Sequence, residues 1–144
     1  MKTIIPLQVL SIENEDIHLA LKAKINGKNA HLIVDTGASR SVFDITGIDK
    51  FFKGKKKSDH IETDKLSTGL GTNTMKSKIT EIKKLQIGDL ILKDYQTVLL
   101  DLSHVNQSYL QAGLKAIDGI IGNDILMKHK AVIDYHKKEL KLSL

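Results

Sequence analysis

The strongest constraint on what this chain can fold into is the run Leu32-Ile33-Val34, which ends abruptly in the turn Asp35-Thr36-Gly37-Ala38-Ser39. The run is short, partly β-branched, free of helical spacing and stopped by a glycine, so it reads as a central strand and not as a helix. Such a strand carries the Asp35 carboxylate to its end. Gly37 has no Cβ, so the backbone can turn sharply there and a second backbone can approach closely. Asp35 and Thr36 add an ionisable oxygen pair and a hydroxyl able to bond the loop or a neighbour. That combination suits a catalytic loop, and it equally suits a plain Asx-turn closing a strand; these residues alone leave both readings open.

A second stretch narrows the choice. Ile117-Asp118-Gly119-Ile120-Ile121-Gly122-Asn123-Asp124-Ile125-Leu126 is another apolar strand ending in glycine, followed by a short helix with Asn123 or Asp124 as its expected cap. Asp-Thr-Gly-Ala-Ser followed much later by Ile-Ile-Gly-Asn-Asp resembles the retropepsin-like aspartic proteases, over a span from about Ile17 to Leu142. The resemblance implies an all-β, single-domain pepsin/retropepsin-like closed β-barrel over residues 1–144, with a flap hairpin and one or two short helices.

It also implies an activity, aspartic endopeptidase, and a set of site residues. Asp35 would be the catalytic carboxylate, Thr36 would lock two active-site loops together, and Gly37 would offer backbone to substrate. Ala38, Ser39, Gly69, Leu70, Gly71 and Ile121 would bind the peptide, and neither a metal nor a cofactor is called for. Hydrolysis by aspartates needs two carboxyls, yet this chain carries one Asp-Thr-Gly, and Asp118 lacks that turn. The second carboxylate is therefore expected from Asp35 of another copy, which makes a homodimer a requirement of the chemistry. Many retroviral members pair an acid after Asp-Thr-Gly-Ala with an arginine after the second-motif glycine. Here those places hold Ser39 and Asn123, a pattern closer to cellular and bacterial members.

Around these motifs the chain reads as strands. Thr3 to Leu10 is a peripheral strand, with Pro6 favouring an edge. Ile17 to Ile25 alternates with period two, and Asn26-Gly27 is a strong hairpin signal that sends the chain back toward Asp35. Asp44 to Phe52 is a short helix or irregular segment, and a weak strand is expected near Ile61. The glycines of Ser67-Thr68-Gly69-Leu70-Gly71-Thr72-Asn73 mark a hairpin tip with arms Asp64 to Leu66 and Thr74 to Ile82, where the resemblance places the flap. A later hairpin through Gly88-Asp89 loosely echoes the first. Ser103 to Leu114 is polar and loop-like, with at most a helical turn around Tyr109. Ala131 to Tyr135 and the alternating Leu140 to Leu144 close the chain as strands, which in a dimer could pair between subunits.

Composition excludes several classes. At 144 residues, 41% hydrophobic and 27% charged, the chain is of single-domain size, and no segment is long or apolar enough to span a bilayer. Cysteine is absent, which removes disulfide scaffolds, thiol nucleophiles and cysteine zinc sites. The N-terminal stretch lacks a cleavage signal, pointing to the cytoplasm and not to secretion. The net charge of +5 includes a cluster at Lys53, Lys55, Lys56 and Lys57, read as a solvated loop and not as a nucleic-acid surface. Two other functions fit less of the pattern. A catalytically silent homodimer could clamp extended peptides in the same cleft. Phosphoryl transfer through Asp35 would want a second carboxylate for magnesium, where Gly37 stands instead.

Overall fold

The structure, a computed structural model, describes residues 1–12, 16–52, 61–66 and 76–144. In chain order the strands are β1 (Lys2–Pro6), β2 (Gln8–Ile12), β3 (Asp16–Ile25), β4 (Lys28–Val34), β5 (Val42–Asp44), β6 (Ile61–Leu66), β7 (Lys76–Ile87), β8 (Leu90–Leu100), β9 (Gly119–Ile121), β10 (Val132–Asp134) and β11 (Glu139–Ser143). Among the described residues, helix α1 (Ser103–Gln111) precedes β9, helix α2 (Asn123–Leu126) follows it, and one 3-10 turn covers Ile48–Phe51. Eight strands bond in the order β2-β3-β4-β9-β5-β8-β7-β6, and β3 also pairs with β7, so six of them close into the expected barrel. The other three form a sheet in the order β1-β11-β10.

Two tight hairpins build most of the barrel. Between β3 and β4 both loop residues take positive φ, Asn26 at 50° and Gly27 at 83°, which matches the twist of the flanking strands. The Asn26 side chain then fastens this turn, accepting from the Lys84 amide at 3.1 Å and donating to the Phe51 carbonyl at 3.0 Å. The second hairpin, β7 to β8, turns at Gly88-Asp89 as expected. The halves also correspond in pairing. β4 runs parallel to β9 as β8 does to β5, while β3–β7 and β5–β9 are antiparallel contacts across the centre.

The apolar run before Asp35 is continuous because β4 is buried on both faces. Leu32 and Val34 point into the barrel with Leu21, Phe43, Leu99 and Ile121. Ile33 points outward with Ala20, Val42, Ile120 and Leu102, and α1 covers that outer layer with Tyr109.

Three expectations change. The N-terminal strand is two strands, because the chain switches sheets at the buried Leu7, whose amide bonds the Lys138 carbonyl at 2.9 Å. The segment read as a loop at 103–114 contains the nine-residue α1. Its signal lies in tertiary bonds: Asn106 exchanges hydrogen bonds with the Ile117 amide (2.7 Å) and carbonyl (3.0 Å) and reaches Asp44. Finally, β11 has neighbours on both edges within its own chain, so its backbone is already paired. Pro6 does lie on an edge strand, β1. Where the hairpin arms were expected, β6 and β7 pair antiparallel. The tip residues Gly69, Leu70 and Gly71, and the lysine cluster at 53–57, lie outside the described residues. No helix among the described residues is long and apolar enough to cross a membrane.

Candidate active site

β4 delivers Asp35 beside β9, in parallel register Leu32↔Gly119, Ile33↔Ile120 and Val34↔Ile121. One step further the Asp35 amide donates to the Ile121 carbonyl at 2.9 Å, so the two motifs meet at the candidate carboxylate. The carboxylate itself is half-buried, and its Oδ1 accepts the Gly37 amide at 2.8 Å. The Asx-turn reading therefore describes the geometry that fixes Asp35, and it does not compete with a chemical role. Gly37 contributes its N–H here, and an added Cβ would crowd Asp35 Oδ1 at 3.2 Å.

The remaining motif residues separate by burial. Thr36 and Ser39 are exposed at the turn, whereas Ala38 is buried in the outer layer under α1. Ile121 lies wholly inside the barrel core, so what it offers the site is its carbonyl and not its side chain.

Behind the turn stands a polar lock that the sequence did not announce. Asn123 and Asp124 do not cap α2; its N-cap is Gly122, without a side-chain cap bond. Asn123 instead reaches back, its side-chain amide donating to the Thr36 carbonyl at 2.7 Å and its backbone amide to Ala38 at 2.8 Å. Asp124 Oδ1 accepts from the Ser41 amide (2.8 Å) and hydroxyl (2.7 Å), and Oδ2 accepts from the Tyr95 hydroxyl. Burial first, then this bond and the Asp124 charge, raise the Tyr95 phenol well above its ordinary value. Ser41 Oγ also accepts the Gly122 amide at 2.9 Å. With no arginine after the glycine, what reaches the turn from this position is the neutral amide of Asn123.

Asp118 stands apart. It begins the second motif alongside His31, four residues before Asp35, which is about 13 Å of strand. There its Oδ2 accepts the His31 amide at 2.8 Å and its Oδ1 pairs with Lys50 at 2.7 Å.

The outer face of the site is closed by Tyr109 of α1, which bonds His18 Nδ1 through its hydroxyl. The two rings meet edge to face, with centroids 5.6 Å apart. Burial, and after it the negative charge of Asp35, push the Tyr109 phenol up to about 12. Continuing the β3–β4 ladder one step past Leu19↔Val34 sets His18 opposite Asp35. Among the described residues no cluster of histidines and carboxylates could hold a metal ion.

Known proteins share the fold and the family of this chain. The family model described as aspartyl protease matches residues 21–125. Among solved structures the chain is similar to a retropepsin-like aspartic protease from Rickettsia conorii, at 22% identity and a TM-score of 0.61, covering 99% of this chain and 89% of that one. It is also similar to the retroviral protease-like domain of Ddi1 from Leishmania major (17% identity, TM-score 0.58, 87% of each chain). A third similar structure is EIAV protease in complex with the inhibitor HBY-793 (16% identity, TM-score 0.58, 87% of this chain and 99% of that one). No curated protein matches the chain in sequence.

Proposed function

Because the chain belongs to the aspartyl protease family, we propose that it is a single-domain aspartic endopeptidase whose dyad is made of Asp35 and Asp35 of a second copy. The observation that carries this reading is the suspension of Asp35 from the Ile121 carbonyl, half-buried at a strand end, with the Gly37 amide holding one oxygen. The other carboxylates of the two motifs, Asp118 and Asp124, are committed to backbone, hydroxyl and lysine partners. In this reading the partner carboxyl for Asp35 is supplied by the second copy.

Two carboxyls about 3 Å apart hold one proton between them, since both cannot ionise at that distance. The ionised one takes a proton from a water molecule as its oxygen attacks the scissile carbonyl carbon; the protonated one donates to the carbonyl oxygen. Collapse of the tetrahedral species breaks the C–N bond, and a carboxyl delivers a proton to the departing nitrogen. In this assignment Thr36, exposed beside Asp35, meets its counterpart across the two-fold axis, and Gly37 and Ser39 face the peptide backbone. The hairpin of β6 and β7 carries the flap, with Gly69, Leu70 and Gly71 closing over the substrate and excluding water.

Digestion of a denatured protein mixture between about pH 4 and 7 tests this. The unsubstituted chain is compared with Asp35→Asn over a dilution series. Cleavage that vanishes in the variant and whose rate per chain falls on dilution is the expected result. Cleavage indifferent to dilution would remove the two-copy dyad. No cleavage at any concentration would leave a homodimer that binds extended peptides without cutting them.

A further inference from the structure

Helix α1 and the paired strands β2 and β3 enclose a pocket of about 490 Å³, lined by no described residue of either motif. Ile12 and Val105 give it an apolar side, while Asp16, His18, Ser108 and Tyr109 give it a polar one. Its position follows from the ladder: His18 directly precedes Leu19, the partner of Val34, so the pocket lies near the end of β4 that carries Asp35. Tyr109, only 1% exposed, is held by a helix whose own position is fixed through Asn106 to Ile117 and Asp44.

The Tyr109 bond decides what the imidazole can offer. A phenol pushed up to about 12 by burial and by the Asp35 charge keeps its proton at neutral pH. A buried hydroxyl needs an acceptor for its proton, and the partner that Tyr109 meets is His18 Nδ1; with the hydroxyl donating, a neutral ring carries its proton on Nε2, and an imidazolium carries one there as well. Either way the free nitrogen of His18 is an N–H donor. Asp16 is two residues away on the same strand, so both side chains stand on one face of β3, from Cα atoms about 7 Å apart. A donor and a carboxylate at that interval match a group with an acceptor and a donor side by side. A carboxamide, with one hydrogen bond of about 2.9 Å at each end, bridges it. A carboxylate would meet Asp16 as a like charge, and an ammonium would pair with Asp16 but leave the His18 N–H without an acceptor.

We propose that this pocket is a specificity subsite that takes a glutamine or asparagine side chain of the bound peptide, its oxygen on His18 Nε2 and its amide nitrogen on the Asp16 carboxylate. The proposal rests on the reading that a substrate peptide lies across Asp35, and it adds the residue type selected beside the scissile bond.

Binding to the full chain carrying Asp35→Asn tests it without turnover. The probes are fluorescein-labelled peptide pools, randomised except at one fixed position that holds Gln, Asn, Glu, Lys or Leu. At one position the Gln or Asn pool should bind about tenfold more tightly than the Leu, Glu and Lys pools. Tyr109→Phe, which frees the imidazole, and Asp16→Ala, at an exposed strand end, should each remove most of that preference while thermal unfolding stays cooperative. Equal binding of all pools, a preference untouched by both substitutions, or no peptide binding at all would overturn the subsite. Cleavage by the unsubstituted chain without a carboxamide preference defeats the subsite alone. A carboxamide preference in the Asp35→Asn chain, with no cleavage by the unsubstituted one, supports the subsite and defeats the endopeptidase reading alone.

Discussion

The side-chain amide of Asn123 donates to the carbonyl of Thr36 at 2.7 Å, tying the glycine motif to the turn that presents Asp35. The bond is solvent-exposed, so Asn123→Ala lets water take its place and costs only about 1 kcal/mol of stability. Its larger effect falls on positioning, because the turn loses one of the two Asn123 contacts that hold it. Peptide kinetics should show kcat/KM lowered by roughly tenfold to a hundredfold, while the urea midpoint moves little. A loss of stability with unchanged kcat/KM would mean that this contact braces the fold and does not aim the turn.

Gly122 marks where the two motifs touch most closely. A Cβ built there would lie 2.7 Å from the Arg40 carbonyl carbon and oxygen and 2.8 Å from the Ala38 oxygen, all backbone atoms that cannot swing aside. Gly122→Ala should therefore cost about 3 kcal/mol or more. Gly113 is the useful contrast, at φ +78° with nothing within 4 Å of its added Cβ. Gly113→Ala carries only the left-handed backbone penalty, about 1 kcal/mol. Thermal unfolding of both variants decides the point, and equal losses would contradict the close approach at Gly122.

The parts of the fold readable from sequence were those whose signal is local. Asn26-Gly27 dictates a two-residue hairpin by its φ preferences, and Leu32-Ile33-Val34 announces a strand buried on both faces. Even the faint echo between halves proved physical. Asp35 and Asp101 end corresponding strands, and each accepts the amide of the residue two further on, at 2.8 and 2.9 Å. Helix α1 was not readable, because Ser103–Gln111 buries only Asn106 and Tyr109 and takes its anchorage from Asp44 and Ile117, distant in sequence. Asn123 and Asp124 were misassigned for a related reason. Both are good cap residues, but a tertiary acceptor at Thr36 and tertiary donors at Ser41 and Tyr95 claim them instead.

Asp118 performs two jobs that mutation can separate. Its Oδ2 receives the His31 amide on the strand leading to Asp35, and its Oδ1 pairs with Lys50, whose side chain is 58% exposed while that of Asp118 is 15% exposed. An ion pair with so exposed a partner is worth about 0–1 kcal/mol, so Lys50→Met should change the urea midpoint only slightly. Asp118→Ala also strips the half-buried His31 amide of its acceptor and should cost about 2 kcal/mol. Matching losses in the two variants would show that the ion pair, and not the backbone contact, is what Asp118 supplies.

Tyr109 links the stability of the fold to alkaline pH. Burial and, secondarily, the Asp35 charge raise its phenol from an ordinary 10.0 to about 12 in the folded chain. Between those values the unfolded chain has released this proton and the folded chain still holds it. Deprotonation thus favours unfolding, and the stability contribution, complete below about pH 10, is lost as pH rises through 12. The unsubstituted chain should lose stability more steeply than Tyr109→Phe across that window, with the two curves parallel below it. Urea unfolding at a series of pH values measures the slopes, and phenolate absorbance of the native chain shows whether the component near 12 is lost in the variant while that of Tyr95 remains. Replacing Asp35 by Asn removes the secondary cause and should bring the Tyr109 titration to lower pH without abolishing its elevation, since burial remains. A titration unmoved by Asp35→Asn would mean that the phenol of α1 does not sense the charge at the end of β4, and that the helix stands further from the site than the geometry places it.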